Sequence, residues 1–107
     1  MAPSKTIAVD FDGVIHDYLK GWQDGSIYGE PVEGAIEAVT KLLSSYKVYI
    51  LTTRAKQADE IRVWLRKHGA AWADSIEITD VKTAAIAYVD DRAVRFTNWS
   101  DIRKLWM

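Results

Sequence analysis

The sequence predicts an α/β domain: a mostly parallel sheet with helices on both faces. Two observations carry this. Short apolar runs rich in β-branched residues alternate with stretches whose apolar residues recur at helical spacing, the pattern of βαβ units. Strand-to-strand crossovers of that kind are right-handed and cover the sheet with helix. A third observation concerns chemistry. In such sheets ligands bind outside the carboxyl ends of the strands, and polar residues gather where the apolar runs stop.

The elements follow in order. Residues 5–11, "KTIAVDF", read as a buried strand. Residues 14–30 carry Gly21, Gly25 and Gly29 among aromatic and polar residues, with Pro31 just beyond, and read as a loop or small hairpin flap. Ala35, Ile36, Val39, Leu42, Leu43 and Tyr46 give an amphipathic helix over about 33–45. "KVYILTT" predicts a second strand, Lys47 to Thr52. A second helix spans "AKQADEIRVWLRKHG", with the stripe Ala58, Ile61, Trp64 and Leu65, and Gly69 placed to end it in the left-handed conformation. "SIEIT" predicts a third strand and "AAIAYVDD" a fourth that stops at Asp90-Asp91. The tail holds a short apolar piece and a terminal helical turn with Ser100 as its N-cap.

A chain of 107 residues fits one domain, 1–107, with one core. Net charge is −1, which gives no bulk-charge signal for nucleic acid. The absence of cysteine excludes disulfides and thiol chemistry and is compatible with a cytoplasmic location. The N-terminal apolar run is too short for a signal peptide, and no stretch reaches membrane-spanning length. Five tryptophans are read as packing residues.

Three strand ends carry polar groups: Asp10 and Asp12; Thr52, Thr53 and Arg54; Asp90 and Asp91. Lys82 lies just before the last strand. Residues two apart in a strand point to the same side, so Asp10 and Asp12 face one way and Phe11 the other. Two carboxylates so close raise each other's pKa unless a cation lies between them. Mg²⁺, hard and oxygen-seeking, suits that place. One carboxylate can attack phosphorus, and the other can move the proton of the leaving oxygen and then of water. Each signal has a bland counterpart. Asp-Gly between hydrophobic residues is a hairpin-turn signal. Asp-Asp after a strand is an ordinary turn, and Thr53 is a candidate cap for the second helix. His16 in the flap reads as solvent-exposed, with substrate contact as the alternative. Lys56, Arg62, Arg66 and Lys67 read as a solvated helix face before they read as a nucleic-acid surface.

Together the motifs resemble those of the haloacid-dehalogenase-like phosphatases. "DFDGV" is similar to the first motif, Thr52 after "VYIL" to the second, Lys82 to the third and "AYVDD" to the fourth. The resemblance implies a three-layer Rossmann-like fold with a flap after the first strand and no cap domain. It implies Asp10 as nucleophile and Asp12 as general acid/base, with Thr52 and Lys82 on the phosphoryl group and Thr53 and Arg54 as further phosphate-binding residues. It further implies Mg²⁺ held by Asp10, the Asp12 main-chain carbonyl and Asp90, with Asp91 directly or through water. An open, cap-less site favours large substrates, or small ones if a second copy of the chain closes it. "TTR" and "DDRAVRF" also resemble the phosphatase domain of phage polynucleotide kinases, which implies a nucleic-acid 3′-phosphate as substrate. Arg54, Arg92 and Arg95 would then contact phosphates. The expected function is a Mg²⁺-dependent phosphomonoester hydrolase acting on a phosphorylated small molecule or a nucleic-acid end. The alternatives are a non-catalytic phosphate- or nucleotide-binding module and a phosphotransferase.

Overall fold

A computed structural model describes residues 5–18, 21, 25–82, 84–89 and 99. The expectations at Asp90, Asp91, Arg92, Arg95 and Ser100, and at two of the five tryptophans, Trp22 and Trp106, lie outside these residues. The chain forms a small compact α/β domain. Its elements run β1 (Thr6–Asp10), α1 (Ala35–Leu43), β2 (Lys47–Leu51), α2 (Ala58–Lys67), β3 (Glu77–Thr79) and β4 (Ala87–Val89). A 3₁₀ turn, Ala55–Gln57, leads into α2.

The four strands form one sheet in the order β3-β2-β1-β4, and every described pairing is parallel. The register sets Asp10 beside Leu51, Leu51 beside Thr79, and Val9 beside Val89. All four carboxyl ends therefore lie along one edge. The steps β1 to β2 and β2 to β3 go the same way across the sheet, and the step to β4 returns to the far side of β1. That reversal is a topological switch, where open α/β sheets leave a crevice.

Alternation along the strands divides the sheet into two faces. Ile7, Val9, Val48 and Ile50 join Ala38, Val39 and Leu42 of α1 and Ile61, Trp64 and Leu65 of α2 in one buried core. Two same-direction, right-handed crossovers place both helices on that one face. Among the described residues no helix lies on the other face, where helices were also expected. Ala8 and Tyr49 are nevertheless buried there. Lys82 lies there too, its Nζ 4.3 Å from the Tyr88 ring centroid.

Element ends differ from expectation by a few residues, for local reasons. Helix α1 starts after Gly34 because Gly34 has φ +81°, outside the helical region. Helix α2 ends as predicted at Gly69, φ +87°. The Gly69 N–H donates to the Arg66 carbonyl and the Ala70 N–H to that of Leu65, the paired bonds of a Schellman motif. Strand β3 begins at Glu77 because the Ser75 and Ile76 amides both bond the Trp72 carbonyl. Thr53 does not cap α2; Arg54 and Gln57 occupy the cap positions of the 3₁₀ turn and of α2 without side-chain cap bonds.

The buried tryptophans pack as expected, each with its indole N–H satisfied: Trp64 on the Gly29 carbonyl, Trp72 on Thr40, Trp99 on the Val14 carbonyl. Val14 and Ile15 are fully buried core residues, so the flap proper starts at Asp17 rather than at residue 14. Among the described residues no helix is long and apolar enough to cross a membrane.

Candidate active site

A cavity of about 510 Å³ opens at the carboxyl edge. Five of the residues expected at a site line it: Asp10, Asp12, Thr52, Thr53 and Lys82. Tyr18 from the flap, Asp80 after β3 and Tyr88 of β4 line it as well. Asp90 and Asp91, expected as metal ligands, lie outside the described residues.

The "DFDG" stretch is built by a tight turn. The Phe11 carbonyl accepts from the amides of Val14, Ile15 and His16, at 3.3, 2.9 and 2.9 Å. Gly13 takes φ +87°, which only glycine adopts without strain. The turn sends Phe11 into the core, where its ring packs 5.3 Å from both His16 and Trp64. Asp10 and Asp12 are left lining one cavity. The Phe11 N–H donates to Asp10 Oδ1 at 2.8 Å, which steadies that carboxylate.

Asp12 is held on both oxygens. Oδ1 lies 2.8 Å from His16 Nδ1, and Oδ2 accepts from Arg54 Nε at 2.6 Å. Burial of Asp12 pushes its carboxyl up. The hydrogen bonds from His16 and Arg54, with the Arg54 charge, outweigh this and leave it below the ordinary value of 3.8. Asp12 therefore rests as a carboxylate.

His16 differs from its expected exposure: it is fully buried. The Gly29 N–H lies 2.9 Å from Nε2. A main-chain N–H only donates, so Nε2 accepts and the ring proton sits on Nδ1, aimed at Asp12. An antiparallel bridge between His16 and Pro31, and the Asp17 amide on the Glu30 carbonyl, close the base of the flap around this ring.

Thr52 is buried, and its hydroxyl accepts from the Arg54 N–H at 3.1 Å. That bond occupies a lone pair and leaves the hydroxyl proton available to an acceptor in the cavity. Arg54, expected among the phosphate ligands, is buried with its guanidinium bonded to Asp12, the Gly25 carbonyl and Gln57. It joins strand end to flap and does not line the cavity. On α2, Arg62 donates to the carbonyls of Ala73 and Ile76, and Arg66 pairs with Asp74. Those two cations brace the loop before β3.

No three His, Asp or Glu side chains gather as a metal set among the described residues. The donors present still suit a hard cation. The Asp10 carboxylate is one. The Asp12 main-chain carbonyl, on a residue that also lines the cavity, is the second that the resemblance names. Both are oxygen, as Mg²⁺ requires.

Besides Tyr18 and Tyr88, three residues were not anticipated in these places. Asp80 follows the same strand-end rule as Asp10, and the rule would have found it had "SIEIT" been extended by one residue. The pairing of Asp12 with Arg54 spans 42 positions and leaves no local signature. The burial of His16 depends on the flap folding back over it. No protein-family model, curated protein or solved structure matches the chain.

Proposed function

We propose that this protein is a Mg²⁺-dependent phosphomonoester hydrolase that forms an aspartyl-phosphate on Asp10. One observation carries the reading: three aspartates, two threonines and a lysine line a single cavity at the carboxyl edge of a parallel sheet. A three-layer, Rossmann-like arrangement without a cap goes with it, supported by the strand order and by the burial of Ala8 and Tyr49.

An Asp10 oxygen attacks phosphorus as the bond to the ester oxygen breaks, and the departing alkoxide takes a proton from Asp12. Thr52 donates to a phosphoryl oxygen, and Lys82 supplies positive charge at the cavity wall. Water then attacks phosphorus and gives its proton to Asp12; phosphate leaves and Asp10 is restored. Mg²⁺ on Asp10 and the Asp12 carbonyl would neutralise charge on the transferring group. Asp12 rests ionised, ready for the water step, and must gain a proton before it serves the first.

A second reading draws on the same residue. With both oxygens occupied, Asp12 also suits a module that binds phosphate without hydrolysing it. The test is Mg²⁺-dependent phosphate release from a panel of nucleotides, sugar phosphates and 3′-phosphorylated oligonucleotides, run on the native chain and on Asp10→Asn. Release by the native chain and none by the variant is expected. Binding without release across the panel selects the second reading, and equal release by Asp10→Asn removes the nucleophile assignment.

A further inference from the structure

We infer that His16 is a positioning residue for proton transfer by Asp12, tied through its other nitrogen to the flap backbone. This rests on the hydrolase reading above.

The imidazole is fully buried, with ring centroids of Phe11, Trp64 and Tyr28 at 5.2–5.4 Å. These neighbours fix the plane of the ring. A phenyl ring would fill the same space without the cost of burying two polar nitrogens. The nitrogens are both used: Nε2 accepts from Gly29, and Nδ1–H points at the Asp12 carboxylate.

Gly29 is itself held from two sides, through the two peptide groups that flank its Cα. Its N–H meets His16 at 2.9 Å and its carbonyl accepts from Trp64 Nε1 at 3.0 Å. A Cβ at position 29 would lie 2.3 Å from the Asp17 carbonyl oxygen and 3.1 Å from His16 Nε2. Only glycine lets the two arms of the flap approach closely enough for this N–H to reach the ring. The chain of bonds runs from Trp64 and the flap peptide, through the His16 ring, to a carboxylate on the cavity wall. Its effect is to choose the tautomer, and the tautomer decides that Asp12 meets a donor. Since a carboxylate oxygen can accept twice, His16 can stay bonded while Asp12 exchanges a proton with substrate.

The test separates positioning from folding by leaving group. Values of kcat/KM are measured with Mg²⁺ for an alkyl phosphate, whose leaving oxygen needs a proton, and for p-nitrophenyl phosphate, whose leaving group does not. His16→Phe, scaled to its folded fraction, is expected to lose about 100-fold on the alkyl ester, the low end of a general-acid contribution, and under about tenfold on the aryl ester. His16→Asn, which returns an N–H near the Nδ1 position, should recover about tenfold on the alkyl ester while His16→Gln does not. Equal losses on both esters overturn the positioning role and leave the hydrolase reading standing. No release by the native chain from either ester or from any member of the panel above overturns both. Long-range ¹H–¹⁵N spectra of the native protein give a check independent of the variants: the proton is expected on Nδ1, and a proton on Nε2 overturns the proposal.

Discussion

Asp10→Asn and Asp12→Asn are the same chemical change two residues apart, yet their effects on stability should differ sharply. At position 10 an asparagine keeps an oxygen for the Phe11 N–H, and the loss at that bond should stay below about 1 kcal/mol. At position 12 the asparagine oxygen can satisfy only one of two donors. If it serves His16, an amide NH₂ is turned towards Arg54 Nε, donor against donor. The Arg54 side chain is 4% exposed, so its charge loses its carboxylate partner away from water. Breaking a buried pair costs about 3–5 kcal/mol; the low end, about 3, applies because Asp12 is 18% exposed. A domain near 100 residues shifts about 4–8 °C in Tm per kcal/mol, which gives a fall of roughly 12–24 °C. For 107 residues the whole folding stability is about 5–16 kcal/mol, so Asp12→Asn can leave a barely folded chain. Thermal unfolding followed by circular dichroism of both variants, with Arg54→Met and the double variant, is the assay. The double variant should recover part of the loss through a coupling of about 0.5–3 kcal/mol. An Asp12→Asn melt within about 4 °C of the native chain would show that the ion pair carries no such load. Inactivity of Asp12→Asn is therefore no evidence of a catalytic role without a melt beside it, and the Asp10→Asn melt is the comparison that separates folding from chemistry.

Other predictions follow from the same contacts. The folded Asp12 carboxyl titrates below its ordinary value, so its contribution is present above about pH 4 and lost as pH falls through the folded value. The stability gap between native and Asp12→Asn should narrow below pH 4 in acid unfolding curves. In hydrolysis of an alkyl phosphate, kcat/KM should rise as pH falls from 8 to 6, by up to about tenfold per unit, because the first step needs protonated Asp12. Gly29→Ala should cost about 1–3 kcal/mol, read by denaturant unfolding, because its Cβ meets the Asp17 carbonyl at 2.3 Å. Gly69→Ala should cost about 1–2 kcal/mol from its left-handed backbone alone, with activity per folded molecule unchanged.

The sequence by itself determined the elements and their order, because helix and strand periods are local and survive without tertiary context. Gly69 ends α2 through a backbone conformation that its own lack of a side chain permits. Asp10, Asp12 and Thr52 could be placed at one sheet edge because parallel strands put all their carboxyl ends together, whereas Lys82, just before the last strand, was placed only by the family resemblance. Tertiary structure alone decided what those groups touch. A histidine in a glycine-rich loop looks exposed until the loop folds back; here Val14 and Ile15 enter the core and carry His16 in with them. Arg54 looks like a phosphate ligand until the chain brings it to Asp12, 42 residues away, and to the Gly25 carbonyl of the flap. Which face the helices cover also depended on the sheet order, since two steps in one direction put α1 and α2 on the same side. Side-chain identity states what a group can bond. Only the path of the chain states which partner reaches it first, and at Asp12 those partners set the charge that the site presents.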